Sequence, residues 1–243
     1  MVSGELRMGG IPFATRYSLL AIRKQRKMSM LKVHHLNNSR SQRILWLLEE
    51  LNTPYEIVHY KRLSPIPLAP PELKAVHPLG KSPVITDGKH TIAESGAIIE
   101  YILDKYGKGR MRPDPKSDDH FKYIEWMHYA EGSAMLPMLM HLYMGMLGEG
   151  GAPLLPRIDS EIANHLSYIS DALKGRGFIV GSDVTGADVQ IVFVLEAAAA
   201  SGLLKDYPVL TSYLTKMQAR PAYKRAVEKG GPYDLASNRR RAN

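Results

Sequence analysis

The hydrophobic pattern of the chain changes its period near residues 107–115, and this change constrains the fold more than any other feature. Before it, short apolar or alternating runs of strand length are separated by segments in which apolar residues recur every three to four positions. After it, every patterned segment has the helical spacing. A chain of 243 residues is long enough for two small domains. We therefore predict an α/β domain over 30–106, a Gly/Pro/basic linker over 107–115 and an all-α domain over 116–243.

The first domain is predicted to run strand, helix, strand, helix, strand, strand, helix. Pro54 ends the first helix, because proline cannot continue a helix, and Asp87-Gly88 is typical of a tight hairpin turn. The last helix opens at Glu94-Ser95. The predicted strands are 31–36, 55–60, 83–86 and 91–93, and the predicted helices before the last are 43–51 and 72–76.

The second domain is predicted to contain only helices, the first of them long and methionine-rich. That helix begins at Ser117 and contains Pro137, where a kink is expected. Thr185 and Asp188 have the spacing of a capping box, with Asp in place of the usual Glu, and we expect them to be structural rather than catalytic. The remaining predicted elements are a Gly/Pro loop at 148–156, a helix through 173, a helix at 189–200, and short helices that begin at 208 and 221.

The distribution of charge argues against a nucleic-acid partner. The net charge is +8, but six basic residues and one acidic residue lie within 1–29, and three arginines lie at 239–241. Residues 30–238 contain 23 basic and 23 acidic residues, so this part has no cationic excess to attract a phosphate backbone. No apolar run approaches the ~20 residues of a membrane span, so no membrane association is expected.

The basic segment 1–29 has two interpretations. Its arginines and its scarcity of acidic residues are typical of an organelle transit peptide. Met28 and Met30 lie directly before the first predicted strand, which also fits an upstream start codon or a disordered leader. We expect the second case and a cytoplasmic protein, and import into an organelle is the alternative.

The chain contains no cysteine. This excludes a disulfide framework, a cysteine-ligated metal site and any mechanism in which an enzyme thiol is the nucleophile. The nine histidines show no metal-ligand spacing such as His-x-x-x-His on a predicted helix, so no metal site is expected.

Three local motifs follow one another in the first domain. They are the turn Asn38-Ser39-Arg40, the segment 77–84 with the sequence HPLGKSPV, and Glu94-Ser95. With the order of elements, they resemble the glutathione transferase family over nearly all of residues 31–230. The resemblance is strongest to the fungal and bacterial branch, which has an HxLxxSRxxRxLWLLxxL opening and an HPLGxSP loop. It implies a thioredoxin-like N-terminal domain, an all-α C-terminal domain, glutathione as co-substrate, and a homodimer.

Ser39 is the expected catalytic residue. The unperturbed pKa of a thiol is ~8.5 and the thiolate is the nucleophile, so an enzyme must stabilise the thiolate at neutral pH. A hydroxyl at a helix N-terminus can donate a hydrogen bond to the sulfur, and the helix dipole adds to this effect. By resemblance, Ser39 matches the catalytic serine of theta- and delta-like transferases. Ser41 and Asn38 are the alternatives, and Arg40 is expected to raise the local positive potential.

The resemblance assigns glutathione binding to the other two motifs. Ser82-Pro83 matches a cis-proline junction whose backbone pairs with the cysteinyl part of glutathione. Lys81 is expected at the glycine carboxylate, Glu94 at the α-ammonium group, and Ser95 with its neighbouring N–H groups at the γ-glutamyl carboxylate. A solvated surface lysine and an ordinary edge-strand proline are the structural alternatives.

The pocket for the second substrate is expected in the helical domain. Methionine-rich walls suit varied apolar electrophiles because thioethers adapt their shape, although core packing is the alternative for each residue. The predicted lining residues are Trp126, Tyr129, Met135, Met138 and His141. The predicted reaction joins the glutathione thiolate to a small hydrophobic electrophile. Glutathione-dependent peroxide reduction and a non-enzymatic binding or scaffold protein are the alternatives.

Overall fold

The computed structural model describes residues 30–63 and 68–236. The interpretations of segment 1–29 and of the arginines at 239–241 lie outside these residues. Within the described part, no helix is long and apolar enough to cross a membrane. The same residues contain no group of three or more His, Asp or Glu side chains that could hold a metal ion.

Four short strands form one mixed sheet in the order β2-β1-β3-β4. β1 and β2 are parallel, whereas β3 is antiparallel to both β1 and β4. The predicted hairpin turn after Asp87 is confirmed, and Gly88 adopts a φ of +62° there, which glycine reaches without steric cost. The strands are β1 (Leu31–Leu36), β2 (Tyr55–Tyr60), β3 (Val84–Asp87) and β4 (His90–Ala93).

Three helices complete the first domain, in the predicted order. Helix α1 provides the crossover that the parallel pair β1 and β2 requires. It begins two residues earlier than the apolar pattern indicated, because Ser41 and Gln42 are polar yet buried. The helices are α1 (Ser41–Leu51), α2 (Glu72–Val76) and α3 (Ser95–Tyr106).

The second domain is helical throughout its regular structure, as predicted. The capping box is confirmed: the Thr185 backbone N–H donates to Asp188 Oδ2 at 2.8 Å, at the start of α7. Pro208 and Pro221 open the last two helices, where the missing N–H costs nothing. The helices are α4 (Asp118–Tyr129), α5 (Met135–Met146), α6 (Leu155–Leu173), α7 (Gly186–Ala200), α8 (Pro208–Gln218) and α9 (Pro221–Gly230), with a 3₁₀ segment at Gly148–Leu154.

A π-helical segment, Ala130–Ala134, joins α4 to α5. The interruption of the long helix therefore precedes Pro137, where a kink was expected. Pro137 lies in the first turn of α5 and cannot donate to the carbonyl four residues before it, which fits a widened turn at that point. The segment carries Glu131 toward the first domain.

Helix α1 lies between the two domains. All of its residues except Glu50 are buried, because β1, α3, α7 and α9 all pack against it. Glu49 accepts a hydrogen bond from Arg225 Nε at 2.9 Å, and Glu50 accepts one from Arg220 Nε at 2.6 Å. These contacts fasten the C-terminal end of α1 to α9, and the turn before the opposite end of α1 lines a cleft between the domains.

Candidate active site

The turn between β1 and α1 places Ser39 at the N-terminus of α1. Ser39 Oγ accepts the backbone N–H of Ser41 at 3.2 Å and lies 2.8 Å from Ser41 Oγ. Ser39 is buried but lines a cavity, whereas Ser41 is fully buried and does not. Among the three candidate residues, Ser39 therefore combines access to the cavity with the helix terminus.

Asn38 also lines the cavity, but its side chain already makes a hydrogen bond within the protein. Its Oδ1 accepts the backbone N–H of Asp234 at 2.7 Å. Its carbonyl accepts from Arg62 Nη2 at 2.8 Å, and its φ of +51° is in the left-handed region that asparagine tolerates. Asn38 therefore shapes the turn that presents Ser39.

The cavity has a volume of about 430 Å³ and lies between the two domains. One side is polar and carries three cationic side chains, and the other side is apolar. The polar side is formed by Asn38, Ser39, Arg40, Arg62, Lys81 and Ser82. The apolar side includes Met135, Met138, Leu139, Leu142, Met146 and Phe193. Burial lowers the pKa of Arg62, but a guanidinium stays protonated at neutral pH.

Arg40, directly before α1, and Arg43 on α1 share one carboxylate from the π segment. Arg40 Nε lies 2.9 Å from both carboxylate oxygens of Glu131, and Arg43 Nη1 lies 2.8 Å from Oε1. Arg43 is almost completely buried and stacks on Phe193 at 4.4 Å. Burial alone would raise the pKa of Glu131, but the charges of the two arginines hold this pKa below its usual range. The cluster keeps one net positive charge beside Ser39.

The second motif forms the opposite edge of the polar side. The Ser82-Pro83 peptide bond is cis, as the resemblance implied. Ser82 Oγ donates to the carbonyl of His34 at 2.9 Å and accepts the N–H of Leu36 at 3.3 Å. These bonds fasten the loop to β1, so that Lys81 and Ser82 both line the cavity.

Two models of the glutathione S-transferase family match this chain. The N-terminal domain model covers residues 28–104, and the C-terminal domain model covers residues 156–229. Glutathione S-transferase 3 of Schizosaccharomyces pombe is 34% identical over 82% of this chain and 88% of its own length. The chain belongs to the glutathione S-transferase family. Its α/β domain is therefore the thioredoxin-like domain of that family.

Solved structures give the same family. A glutathione S-transferase from Actinobacillus pleuropneumoniae is 35% identical, with a TM-score of 0.78 over 86% of this chain and 99% of that one. A family member from Pseudomonas fluorescens, solved with two glutathione molecules bound, is 24% identical, with a TM-score of 0.71 over 87% of this chain and 98% of that one. The similarity to the Pseudomonas fluorescens protein shows that the two chains share a fold.

The third motif lies outside the lining of the cavity. Ser95 is buried at the first position of α3, where its Oγ accepts from Arg43 Nη1 at 3.2 Å and lies 3.3 Å from Gln190 Oε1. Glu94 is exposed and has a φ of +69°, a strained conformation for a residue with a side chain. Such strain of ~1–3 kcal/mol is characteristic of functional sites.

Two of the five predicted pocket residues, Met135 and Met138, line the cavity of this transferase. Trp126, Tyr129 and His141 do not, contrary to the sequence prediction. All three face α6. The Trp126 ring stacks on Tyr168 at 5.2 Å, Tyr129 Oη lies 2.7 Å from His165 Nδ1, and His141 Nδ1 lies 3.1 Å from Asp159 Oδ1. A helix turns by ~100° per residue, so α5 presents Met135 and His141 on different faces.

Sequence analysis missed the part of the cavity formed by the segment after α9, residues 231–236. Leu235 lines the cavity, and Tyr233 Oη donates to the buried Glu196 at 2.6 Å. The bond from Asp234 to Asn38 fixes the same segment to the β1–α1 turn. No periodic pattern marks this short segment, so only its distant contacts reveal its role.

Proposed function

We propose that this protein conjugates glutathione to small hydrophobic electrophiles, with Ser39 as the residue that stabilises the thiolate. The observation that carries the proposal is that Ser39, directly before α1, lines a cavity whose walls also include apolar side chains of the helical domain. A sulfur placed there lies beside a hydroxyl and a helix N-terminus. An electrophile on the apolar side then lies next to the sulfur.

The electrostatics of the turn favour a thiolate. The hydroxyl of Ser39 donates to the sulfur, and the N-terminus of α1 contributes its positive dipole end. Arg40 and Arg43 exceed Glu131 by one positive charge, so the ion-pair cluster also stabilises an anion at this point. The thiolate then attacks the electrophilic carbon and the carbon–sulfur bond forms. The displaced electron pair leaves with the leaving group or, for an activated double bond, moves from the π bond onto the conjugated group.

The remaining predicted residues would hold the rest of the tripeptide. We assign the cysteinyl backbone to Ser82 and Pro83, and the glycine carboxylate to Lys81, which lies at the polar side. The γ-glutamyl carboxylate goes to the first backbone N–H groups of α3, at Ser95. Glu94 takes the α-ammonium group, which accounts for a strained residue at that position.

Replacing Ser39 with alanine is expected to lower kcat/KM for a generic aromatic halide ~10-fold or more, because one donor to the thiolate is lost. Binding to glutathione resin should be largely retained, since the other contacts remain. The matched control is Ser117→Ala, which removes the N-cap serine of α4, a residue that does not line the cavity, and should leave kcat/KM unchanged.

Unchanged turnover in the Ser39→Ala variant would refute the assignment of Ser39. Wild-type protein that binds the resin but conjugates none of a panel of electrophiles would instead indicate a binding or scaffold protein. Turnover with organic hydroperoxides alone would indicate a peroxidase.

A second copy of this chain is the proposed partner. Large apolar side chains are exposed on both domains, including Leu79 at 60% and Phe121 at 73%. We expect the double variant Leu79→Asp with Phe121→Asp to raise the dissociation constant of a homodimer at least ~10-fold, which is the effect of losing about one interface hot spot. Sedimentation at micromolar protein concentration measures this constant. Leu154→Asp, at a residue 52% exposed elsewhere on the helical domain, is the control. A monomeric wild-type protein would contradict the proposal.

A further inference from the structure

A continuous chain of hydrogen bonds runs from the cavity into the core of the first domain. Ser39 Oγ lies 2.8 Å from Ser41 Oγ, and Ser41 Oγ lies 2.9 Å from His35 Nδ1. Ser41 is fully buried and His35 is 2% exposed. The other edge of the imidazole faces the Gly230 backbone at the end of α9. Ser39 is therefore the one member of the chain that reaches the cavity.

The surroundings fix the direction of the hydrogens in this chain. Gly230 ends α9, so its carbonyl is the backbone group that can accept a hydrogen from the Nε2 edge of the ring, and we assign the hydrogen of neutral His35 to Nε2. Nδ1 is then an acceptor. Ser41 has a single hydroxyl hydrogen, and both of its other neighbours, His35 Nδ1 and the carbonyl of Leu36 at 3.2 Å, accept it. Ser41 Oγ therefore accepts from Ser39.

We propose that Ser41 and His35 are positioning residues that hold the Ser39 hydroxyl at the N-terminus of α1. In this position, the hydroxyl hydrogen of Ser39 can rotate from Ser41 Oγ to the sulfur of glutathione. This inference rests on the proposed function. Before a thiolate binds, the Ser39 hydrogen is donated to Ser41 Oγ. When a thiolate binds, the charged sulfur is the stronger acceptor and takes the hydrogen.

The Ser39 oxygen stays in place during this turn. Its contact with the backbone N–H of Ser41 is at 3.2 Å and does not depend on where the hydroxyl hydrogen points. Ser41 keeps its own donation to His35 and Leu36, so no buried donor is left without an acceptor. The movement is the rotation of one hydroxyl hydrogen, which requires no rearrangement of the helix.

The direction of the hydrogen bonds from Ser39 to Ser41 and from Ser41 to His35 stays the same over the pH range in which a thiol titrates. Burial, and then the nearby His59 ring at 5.7 Å, lower the pKa of His35 to about 4. The imidazole therefore stays neutral at the pH values where glutathione ionises. Protonation of His35 would place a hydrogen on Nδ1 and oblige Ser41 to accept from it.

The experiment compares Ser41→Ala and His35→Leu with His35→Asn, whose amide oxygen can replace Nδ1 as the acceptor for Ser41. We expect kcat/KM for an aromatic halide to fall ~10-fold in Ser41→Ala and ~3-fold in His35→Leu, on the scale of one hydrogen bond. His35→Asn should remain near wild type. The pKa of enzyme-bound glutathione, followed by thiolate absorbance, should rise in the two impaired variants while KM for glutathione changes little.

Two controls separate positioning from a merely structural role. His34→Leu alters the adjacent histidine, which points to Tyr60 and Thr86, and should leave the bound thiol pKa unchanged. In a Ser39→Ala background, adding Ser41→Ala should cause no further loss, because Ser41 acts through Ser39. If Ser41→Ala does not fold, the comparison of His35→Leu with His35→Asn decides alone.

The inference is overturned if Ser41→Ala and His35→Leu keep the wild-type kcat and bound thiol pKa while Ser39→Ala is impaired. An additive loss in the double variant also overturns it. If Ser39→Ala itself is unimpaired, the proposed function of Ser39 fails first, and this result differs from the other two.

Discussion

Replacing Asp188 with alanine is expected to lower the free energy of unfolding by ~4 kcal/mol, because four buried donors, the Thr185 hydroxyl among them, lose their acceptor at ~1–3 kcal/mol each. Asp188 is fully buried at the start of α7. Its Oδ1 accepts the Ile179 N–H at 2.9 Å and the Tyr213 hydroxyl at 2.6 Å. Its Oδ2 accepts the Thr185 N–H at 2.8 Å. Urea unfolding of the purified variant measures the loss.

Asp183→Ala is the matched control for this variant. Asp183 is exposed in the same loop, and its Oδ1 accepts the N–H of the following Val184 at 2.7 Å. Its removal should cost less than ~1 kcal/mol, since water can replace the carboxylate. Equal losses of unfolding free energy in Asp188→Ala and Asp183→Ala would show that the capping box stabilises this fold no more than an exposed carboxylate does.

The second large effect is expected at Glu131. Glu131→Ala leaves Arg43 buried with its charge uncompensated, which should lower the free energy of unfolding by ~3 kcal/mol. Nε and Nη2 of Arg43 already have no hydrogen-bond partner among the described residues, so few groups remain to take over the charge. Glu161→Ala removes the partly buried partner of the exposed Arg157 and should cost at most ~1 kcal/mol.

The pH dependence provides a further measurement on Glu131. Its folded pKa lies below the usual value of 4.5, so the stability from its ionised form is present above that pH and is lost as the pH falls through the folded pKa. The difference in stability between wild type and Glu131→Gln should therefore shrink on acidification. A double variant, Arg43→Met with Glu131→Leu, should be more stable than Glu131→Ala, because it buries no unpaired charge. A double variant as unstable as the single one would contradict the charge argument.

The sequence predicted the order of the elements because short-range patterns determine them. β1 and α2 have the predicted bounds, and the capping box marks the start of α7. These signals depend on alternation, on proline and on spacing within a few residues. The π segment at Ala130–Ala134 was missed, since its one extra residue shifts the apolar pattern by a single position, which spacings of three and four residues do not distinguish.

The candidate site was predictable where it is local to a motif. Ser39, Ser82 and the cis bond before Pro83 lie together because each motif ends or begins an element next to β1. Trp126 and His141 were placed at the pocket on composition, although their rings pack against α6. Which face of a helix turns to a cavity depends on its neighbours, and the sequence of that helix does not specify it.

The contact between Asp234 and Asn38 joins residues 196 positions apart. A ribosome adds ~5–20 residues per second, so ~10–40 seconds separate the synthesis of these two residues. The β1–α1 turn that carries Ser39 can thus form on the nascent chain well before the segment with Leu235 closes the cavity beside it. In an incomplete chain, the polar side of the cavity would be exposed to water. Selectivity for a second substrate would therefore arise only late in synthesis.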